Sequence, residues 1–135
     1  MTIKSSSIHT FVISLSHESL RRKTIKKTLN RVTEKFEFFD AIDARKINLL
    51  QHKDYNGLIR RLCYGKDLAP GELGCFLSHR AVLKKIVDKK IPTSLIFEDD
   101  VILQKDFNSV LVNLINCPYP WEAVRFLGKP KIATL

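Results

Sequence analysis

Leu95 to Asp100 reads Leu-Ile-Phe-Glu-Asp-Asp, an apolar run that passes directly into three carboxylates. Adjacent acids repel one another and suit neither a strand interior nor an apolar core, where an unpaired charge is costly. At the C-terminal end of a strand they suit a divalent cation, because that end of an open α/β sheet is where ligands bind. Mg²⁺ and Mn²⁺ favour carboxylate oxygens and often share them with substrate phosphates. Side chains alternate along a strand, so Glu98 and Asp100 are expected on one side and Asp99 on the other. That spacing is the geometry of an Asp-x-Asp metal clamp on a nucleotide diphosphate. The plainer alternative is a solvated acidic turn at a strand end.

The elements around this tip follow from periodicity. His9 to Leu15 is a short β-rich run and predicts a first, buried strand. Ser16 or Ser19 is placed to cap the helix that follows. Ile25, Leu29, Val32 and Phe36 recur at helical spacing, with Arg and Lys on the other face. Phe36 to Phe39 suggests a second strand, closing in Asp40-Ala41-Ile42-Asp43. Strand, helix and strand make a βαβ unit with a right-handed crossover expected. From Ala44 to Leu68 the pattern is weak and reads as a long loop with a short helix. Ala69 to Glu72 breaks the chain, and a helix is expected from Leu73 to about Asp88. The acid-tipped strand spans Ser94 to Glu98. Asp106 is expected to cap a helix carrying Phe107, Val110, Leu111, Leu114 and Ile115, and Ala123 to Leu127 reads as a last strand.

The chain has 135 residues, enough for one domain with a core and too few for two ordinary ones. With 44% hydrophobic and 27% charged residues its composition is globular, not disordered. No apolar run approaches the ~20 residues of a membrane span, and Met1 to Ser7 lacks the apolar segment of a secretory signal. Cys63, Cys75 and Cys117 form no Cys-x-x-Cys pair, which predicts reduced, mostly buried thiols. A net charge of +9 draws the chain toward polyanions without choosing among nucleic acid, anionic lipid and phosphate-bearing substrates.

Four stretches, taken in order, resemble the bacterial lipopolysaccharide glycosyltransferases of glycosyltransferase family 25, which also includes the collagen galactosyltransferases. They are Phe11 to Leu15 with Arg21-Arg22, then Asp40 to Asp43, Gly71 to His79, and Leu95 to Val101. The resemblance implies an α/β, GT-A-like (Rossmann-like) nucleotide-sugar domain over residues 1–135, with a mainly parallel sheet flanked by helices. It implies transfer of a hexose, galactose from UDP-galactose, to a lipopolysaccharide or lipooligosaccharide acceptor with Mn²⁺ or Mg²⁺. Family members are about twice as long, so the fold is expected to be incomplete at its C-terminus. Where the family has Gly after the second Asp of Asp-Ala-x-Asp, this chain has Ala44, so that turn is expected to differ.

Residue roles follow from that resemblance. Asp100 is the expected direct metal ligand. Glu98 reaches the metal through water or binds the ribose, and Asp99 orients a neighbouring element. Arg21 or Arg22 contacts phosphate, unless both form a solvated helix pair. The main chain at Ile13-Ser14-Leu15 is a cradle for uracil, and Asp43 is either a ribose or base ligand or a turn-forming Asp. Ser78 and His79 are read as opening a helix whose free N–H groups face phosphate or sugar oxygens. His79 could instead sit on the apolar face above Leu83. No general base is assigned.

A second reading is a truncated, non-catalytic remnant that binds UDP or a partner. A nucleic-acid-binding module rests on charge alone, and no DNA-reading motif accompanies it. The expected partners are a UDP-sugar and a lipid-linked saccharide. The expected location is the cytoplasm, with peripheral contact at the anionic inner face of the membrane. Self-association is expected through the edge of the last strand, near Phe126 and Leu127.

Overall fold

The computed structural model of the protein describes residues 8–30, 32–33 and 35–126. Strand β1 (His9–Ser14) leads through helix α1 (Ser19–Leu29) to strand β2 (Glu37–Asp40). Two single 3₁₀ turns (Ala44–Lys46 and Leu49–Gln51) and helix α2 (Gly57–Tyr64) follow, then helix α3 (Pro70–Asp88), strand β3 (Ser94–Glu98) and helix α4 (Phe107–Ile115). The three strands form one parallel sheet in the order β2-β1-β3. Ser14 pairs with Asp40 and Ile13 with Glu98, so all three strands finish at the same end.

β1 is central, and both of its faces are covered. That explains the apolar run Phe11-Val12-Ile13 at its centre, since a strand buried on both faces has no solvent side to alternate with. On one face Val12 and Phe97 pack against Ile25 and Leu29 of α1 and Phe107 and Leu111 of α4. On the other, Phe11 and Ile13 pack against Val82 of α3. Fully burying a side chain such as Ile25 or Leu29 contributes about 1.5–3 kcal/mol. Lys85 of α3 adds an ion pair to Glu37 at 2.5 Å and reaches over the Phe11 ring. A third small cluster of Ala44, Leu73 and Leu77 fixes the first 3₁₀ turn against α3.

Several local expectations need correction. α1 stops at Leu29; Val32 and Phe36 lie beyond it but still pack on the same cluster. Its N-cap is Glu18, with Ser19 already helical and no side-chain cap. α3 begins at Pro70, not Leu73. Pro suits the first helical position, where its missing N–H has no partner to lose. Glu72 accepts a hydrogen bond from the Ala69 N–H at 2.7 Å, which secures that start.

Residues 123–126 form no strand, and Leu127 lies outside the described residues. Phe126 instead stacks edge-on against Phe107 at 5.3 Å, and the Trp121 indole donates to the Leu114 carbonyl. Contact with α4 thus replaces sheet pairing, and among the described residues β3 is left as one edge of the sheet and β2 as the other. The cysteines are free but not mostly buried: Cys63 and Cys75 are exposed and Cys117 is half-buried. Cys63 lies on α2, which buries none of its residues, and Cys75 faces the strand ends.

The segment between β2 and α3 is tied down by polar contacts. Asn56 caps α2 by accepting from the Ile59 N–H, and Gly65 ends it at φ +75°, a left-handed conformation open to Gly. The Tyr55 hydroxyl and the Arg61 guanidinium both donate to Asp67. Arg80 of α3 pairs with Asp54 at 2.5 Å.

Candidate functional site

At the carboxyl ends of the strands lies a cleft of about 250 Å³. Its floor is Ile13, Ser14 and Leu15 at the end of β1. One wall is 41–45, and the other is the first half of α3 with Pro70, Gly71, Gly74, Cys75, Ser78 and His79. Glu98, Asp99, Asp100 and Arg21 complete it. The volume is just below the ~300–1,000 Å³ typical of small-molecule sites, enough to hold part of a nucleotide.

The two walls meet through Gly74. A Cβ there would stand 2.6 Å from the Ile42 carbonyl oxygen, so only Gly permits this approach of helix to loop. Ser78, one turn on, is fully buried. Its hydroxyl donates to the Gly74 carbonyl at 2.6 Å and accepts from the Ile42 N–H at 2.8 Å. Ser78 and His79 therefore sit in the middle of α3 and do not open it, so their N–H groups belong to the helix ladder. The misreading came from taking Gly71-Glu72 as a break where Pro70 starts the helix. Ala44 fits beneath Gly74 within the 3₁₀ turn and needs no positive φ.

Asp43 caps that turn, accepting from the Arg45 N–H at 3.2 Å. The Arg45 side chain grips the same carboxylate with two hydrogen bonds of 2.7 Å. This fork holds the Asp43 carboxyl down at about 2. Asp43 is thus an anion throughout the physiological range, with its orientation fixed by its own turn.

The three acids do not alternate as a strand would have them. β3 ends at Glu98, and Asp99 and Asp100 fall in the turn beyond it. Asp99 is 8% exposed; it accepts from Ser14 Oγ at 2.7 Å and pairs with Arg21 at 3.1 Å. It therefore ties β3 to β1 and α1, while still lining the cleft. Asp100 is 62% exposed, with Arg21 at 3.5 Å. Glu98 turns the other way, toward His79 Nε2 at 3.1 Å and Cys75 Sγ at 3.7 Å. Burial, and then the Glu98 charge, push the Cys75 thiol up. His79 is not a core residue, since its ring is 37% exposed.

Nine of the sequence-derived candidates line the cleft: Ser14, Leu15, Arg21, Asp43, Ser78, His79, Glu98, Asp99 and Asp100. Arg22 does not. It donates to the Ser14 carbonyl at 2.9 Å, pairs closely with Asp40 and lies over the Phe38 ring, and so locks the ends of β1 and β2 together. Arg45 and Cys75 were not singled out by sequence reasoning. The signals were available: Arg45 stands two residues after Asp43, and Cys75 stands four before His79, on the same helical face.

The donor chemistry suits a hard divalent cation at Asp100, an exposed carboxylate beside a cleft that also holds Glu98. Arg21 is the cation already present there. Among the described residues the three acids do not close into one compact ligand set; the compact set is Cys75, His79 and Glu98.

The pattern of the family described as Glycosyltransferase family 25 (LPS biosynthesis protein) matches residues 7–129. Procollagen galactosyltransferase 2 of Homo sapiens is 30% identical over 132 residues, covering 90% of this chain and 21% of that protein. Procollagen galactosyltransferase 1-A of Xenopus laevis is 28% identical over the same length and with the same coverage. The inactive glycosyltransferase 25 family member 3 of Mus musculus is 32% identical over 130 residues, covering 90% of this chain and 22% of that protein. The chain thus spans about a fifth of the length of the curated relatives it matches. With the family pattern covering nearly its whole length, and its matched segments meeting at one cleft, the chain belongs to glycosyltransferase family 25.

Proposed function

We propose that this chain forms the donor-binding part of a glycosyltransferase that moves galactose from UDP-galactose to a lipopolysaccharide or lipooligosaccharide acceptor. The observation that carries the reading is the convergence of the β1 end, Asp43, Arg21 and the acidic tip on one cleft beyond the strand ends. In this reading the main chain at Ser14 and Leu15 receives the uracil, and Asp43 accepts a hydrogen bond from the base or ribose. Arg21 exchanges its carboxylate partners for phosphate oxygens. Asp100, with Glu98 directly or through water, holds Mn²⁺ or Mg²⁺. Bound there, the cation would act as a Lewis acid toward the charge that builds on the diphosphate as the glycosidic bond breaks. Ser78, Gly74 and Arg22 keep the walls in place. No residue here is assigned as the general base.

The same cleft supports a second reading, binding without transfer, and one observation favours it. Relatives named as inactive match as well as the galactosyltransferases do.

Calorimetry of UDP and UDP-galactose, with Mn²⁺ and then with EDTA, tests the donor site. Binding should weaken markedly with EDTA and in Asp100→Asn, which removes charge but keeps shape. Unchanged UDP affinity in both would overturn the metal assignment. A hydrolysis or transfer assay then separates catalysis from binding.

A lipid-linked acceptor places the protein at the cytoplasmic face of the membrane. Among the described residues no helix is long and apolar enough to cross a bilayer. α2 supports peripheral contact: Leu58, Ile59 and Leu62 are exposed beside Arg60 and Arg61, on a chain of net charge +9. Co-sedimentation with phosphatidylglycerol vesicles at low salt, and none with phosphatidylcholine vesicles, is the expected result. Equal partition to both would remove the electrostatic argument.

A further inference from the structure

Glu98 lies apart from the carboxylates that Arg21 holds. Its Oε1 stands 3.1 Å from His79 Nε2 and 3.7 Å from Cys75 Sγ, and all three candidate ligand atoms lie within 4.8 Å of one another. A tetrahedral zinc ion has Zn–S of about 2.3 Å and Zn–N and Zn–O of about 2.0 Å, which sets S···O at about 3.5 Å and N···O at about 3.3 Å. The observed spacings fall within a few tenths of an ångström of both.

The two elements that supply these groups are rigid. Cys75 and His79 are one turn apart on α3, and Glu98 ends β3, which pairs with β1 over five residues. α3 is held at this height by the Gly74 contact and the Ser78 hydrogen bonds. Thiolate, imidazole and carboxylate together are the ligands of a borderline-soft cation rather than of Mg²⁺. Three protein ligands with one side facing open solvent match the pattern of a zinc site that keeps its fourth position for water or another ligand.

We propose that Cys75, His79 and Glu98 form a zinc-type cation site in the α3 wall of the cleft, separate from the Asp100 position. Without a cation, Glu98 accepts from the thiol and the imidazole. With zinc bound, the thiol proton leaves to solvent, the His79 proton moves through solvent from Nε2 to Nδ1, and the thiolate, the freed Nε2 and the Glu98 carboxylate turn their lone pairs to the metal. Glu98 is then committed to zinc and no longer available at Asp100.

The test uses metal alone, so it stands or falls independently of any UDP binding. Co²⁺ titrated into the protein, kept reduced by a non-chelating phosphine, should produce thiolate-to-cobalt charge-transfer absorption, and Zn²⁺ should abolish it by displacement. Cys75→Ser should remove that absorption. His79→Gln and Glu98→Gln should keep it at saturation but weaken Co²⁺ binding by at least ~10-fold. Cys63→Ser, on the solvent face of α2, should change nothing. Circular dichroism of each variant checks that the fold is retained. Absence of charge transfer in the wild type would overturn the proposal. So would a signal that survives Cys75→Ser or depends on Cys63.

Discussion

Gly74→Ala isolates the contact that brings the two cleft walls together. An alanine Cβ would sit 2.6 Å from the Ile42 carbonyl oxygen and 3.4 Å from Ala44 Cβ. The nearest obstacle is backbone, which cannot rotate aside as a side chain could. α3 or the 42–44 loop must retreat, and overpacking of this kind costs about 1–3 kcal/mol. The retreat also stretches the Ser78–Ile42 hydrogen bond, now 2.8 Å, whose loss adds about 0.5–1.5 kcal/mol. Against this, Ala is better than Gly in a helix by about 1 kcal/mol. The balance is a destabilisation of about 2 kcal/mol, which at a urea m-value of about 2 kcal/mol/M lowers the unfolding midpoint by about 1 M. Gly71→Ala is the matched control. It lies in the first turn of the same helix with nothing within 4 Å of an added Cβ, so it should be neutral or stabilising by up to about 1 kcal/mol. Urea unfolding followed by circular dichroism compares the two. If Gly74→Ala unfolds at or above the wild-type midpoint, propensity has outweighed sterics and the close approach of α3 to Ile42 is refuted.

The Asp43 carboxyl should titrate near 2, well below the unfolded value of about 3.8. Its contribution to stability is present above the unfolded value and is lost as pH falls through about 2. A carbon-13 NMR titration should show that midpoint in the wild type and an upward shift in Arg45→Ala; an ordinary wild-type midpoint would dissolve the Arg45 fork. β3 has a single strand neighbour among the described residues, and Phe126, which packs against Phe107 of α4, is 43% exposed. Light scattering should therefore show mass rising with protein concentration, whereas a constant monomer mass would exclude association through the β3 edge.

The parts of the fold that rest on strong periodicity were legible in the sequence. β1 announces itself through an apolar run between polar flanks, α1 through Ile25 and Leu29, and β3 through its passage into acids. The convergence of Leu15, Asp43 and Glu98 followed from parallel strands finishing at one end. What was not legible depends on neighbours. Ala123 to Phe126 has strand-forming residues, but α4 supplies Phe126 with a better surface in Phe107. Whether Asp99 faces Asp100 or Glu98 depends on where the strand gives way to a turn, and Arg21 decides it. Arg22 looked equivalent to Arg21. One helical step carries its guanidinium toward Asp40 and Phe38, away from the cleft.

The strand order β2-β1-β3 has a consequence for how the molecule is made. β1 leaves a ribosome ahead of β2 and β3 and can pair with β2 as soon as Glu37 to Asp40 has been synthesised. Its other edge has to wait for Ser94 to Glu98. Through that interval Phe11, Val12 and Ile13 offer an unpaired, apolar backbone ladder to any passing strand, the hazard of a long-range parallel pairing. The cleft shares this delay, since its acidic side arrives with β3. A nascent chain halted within α3 would have a floor and Arg21 but no Glu98 or Asp100 carboxylate for a metal, and would be a natural client for a chaperone that shields strand edges.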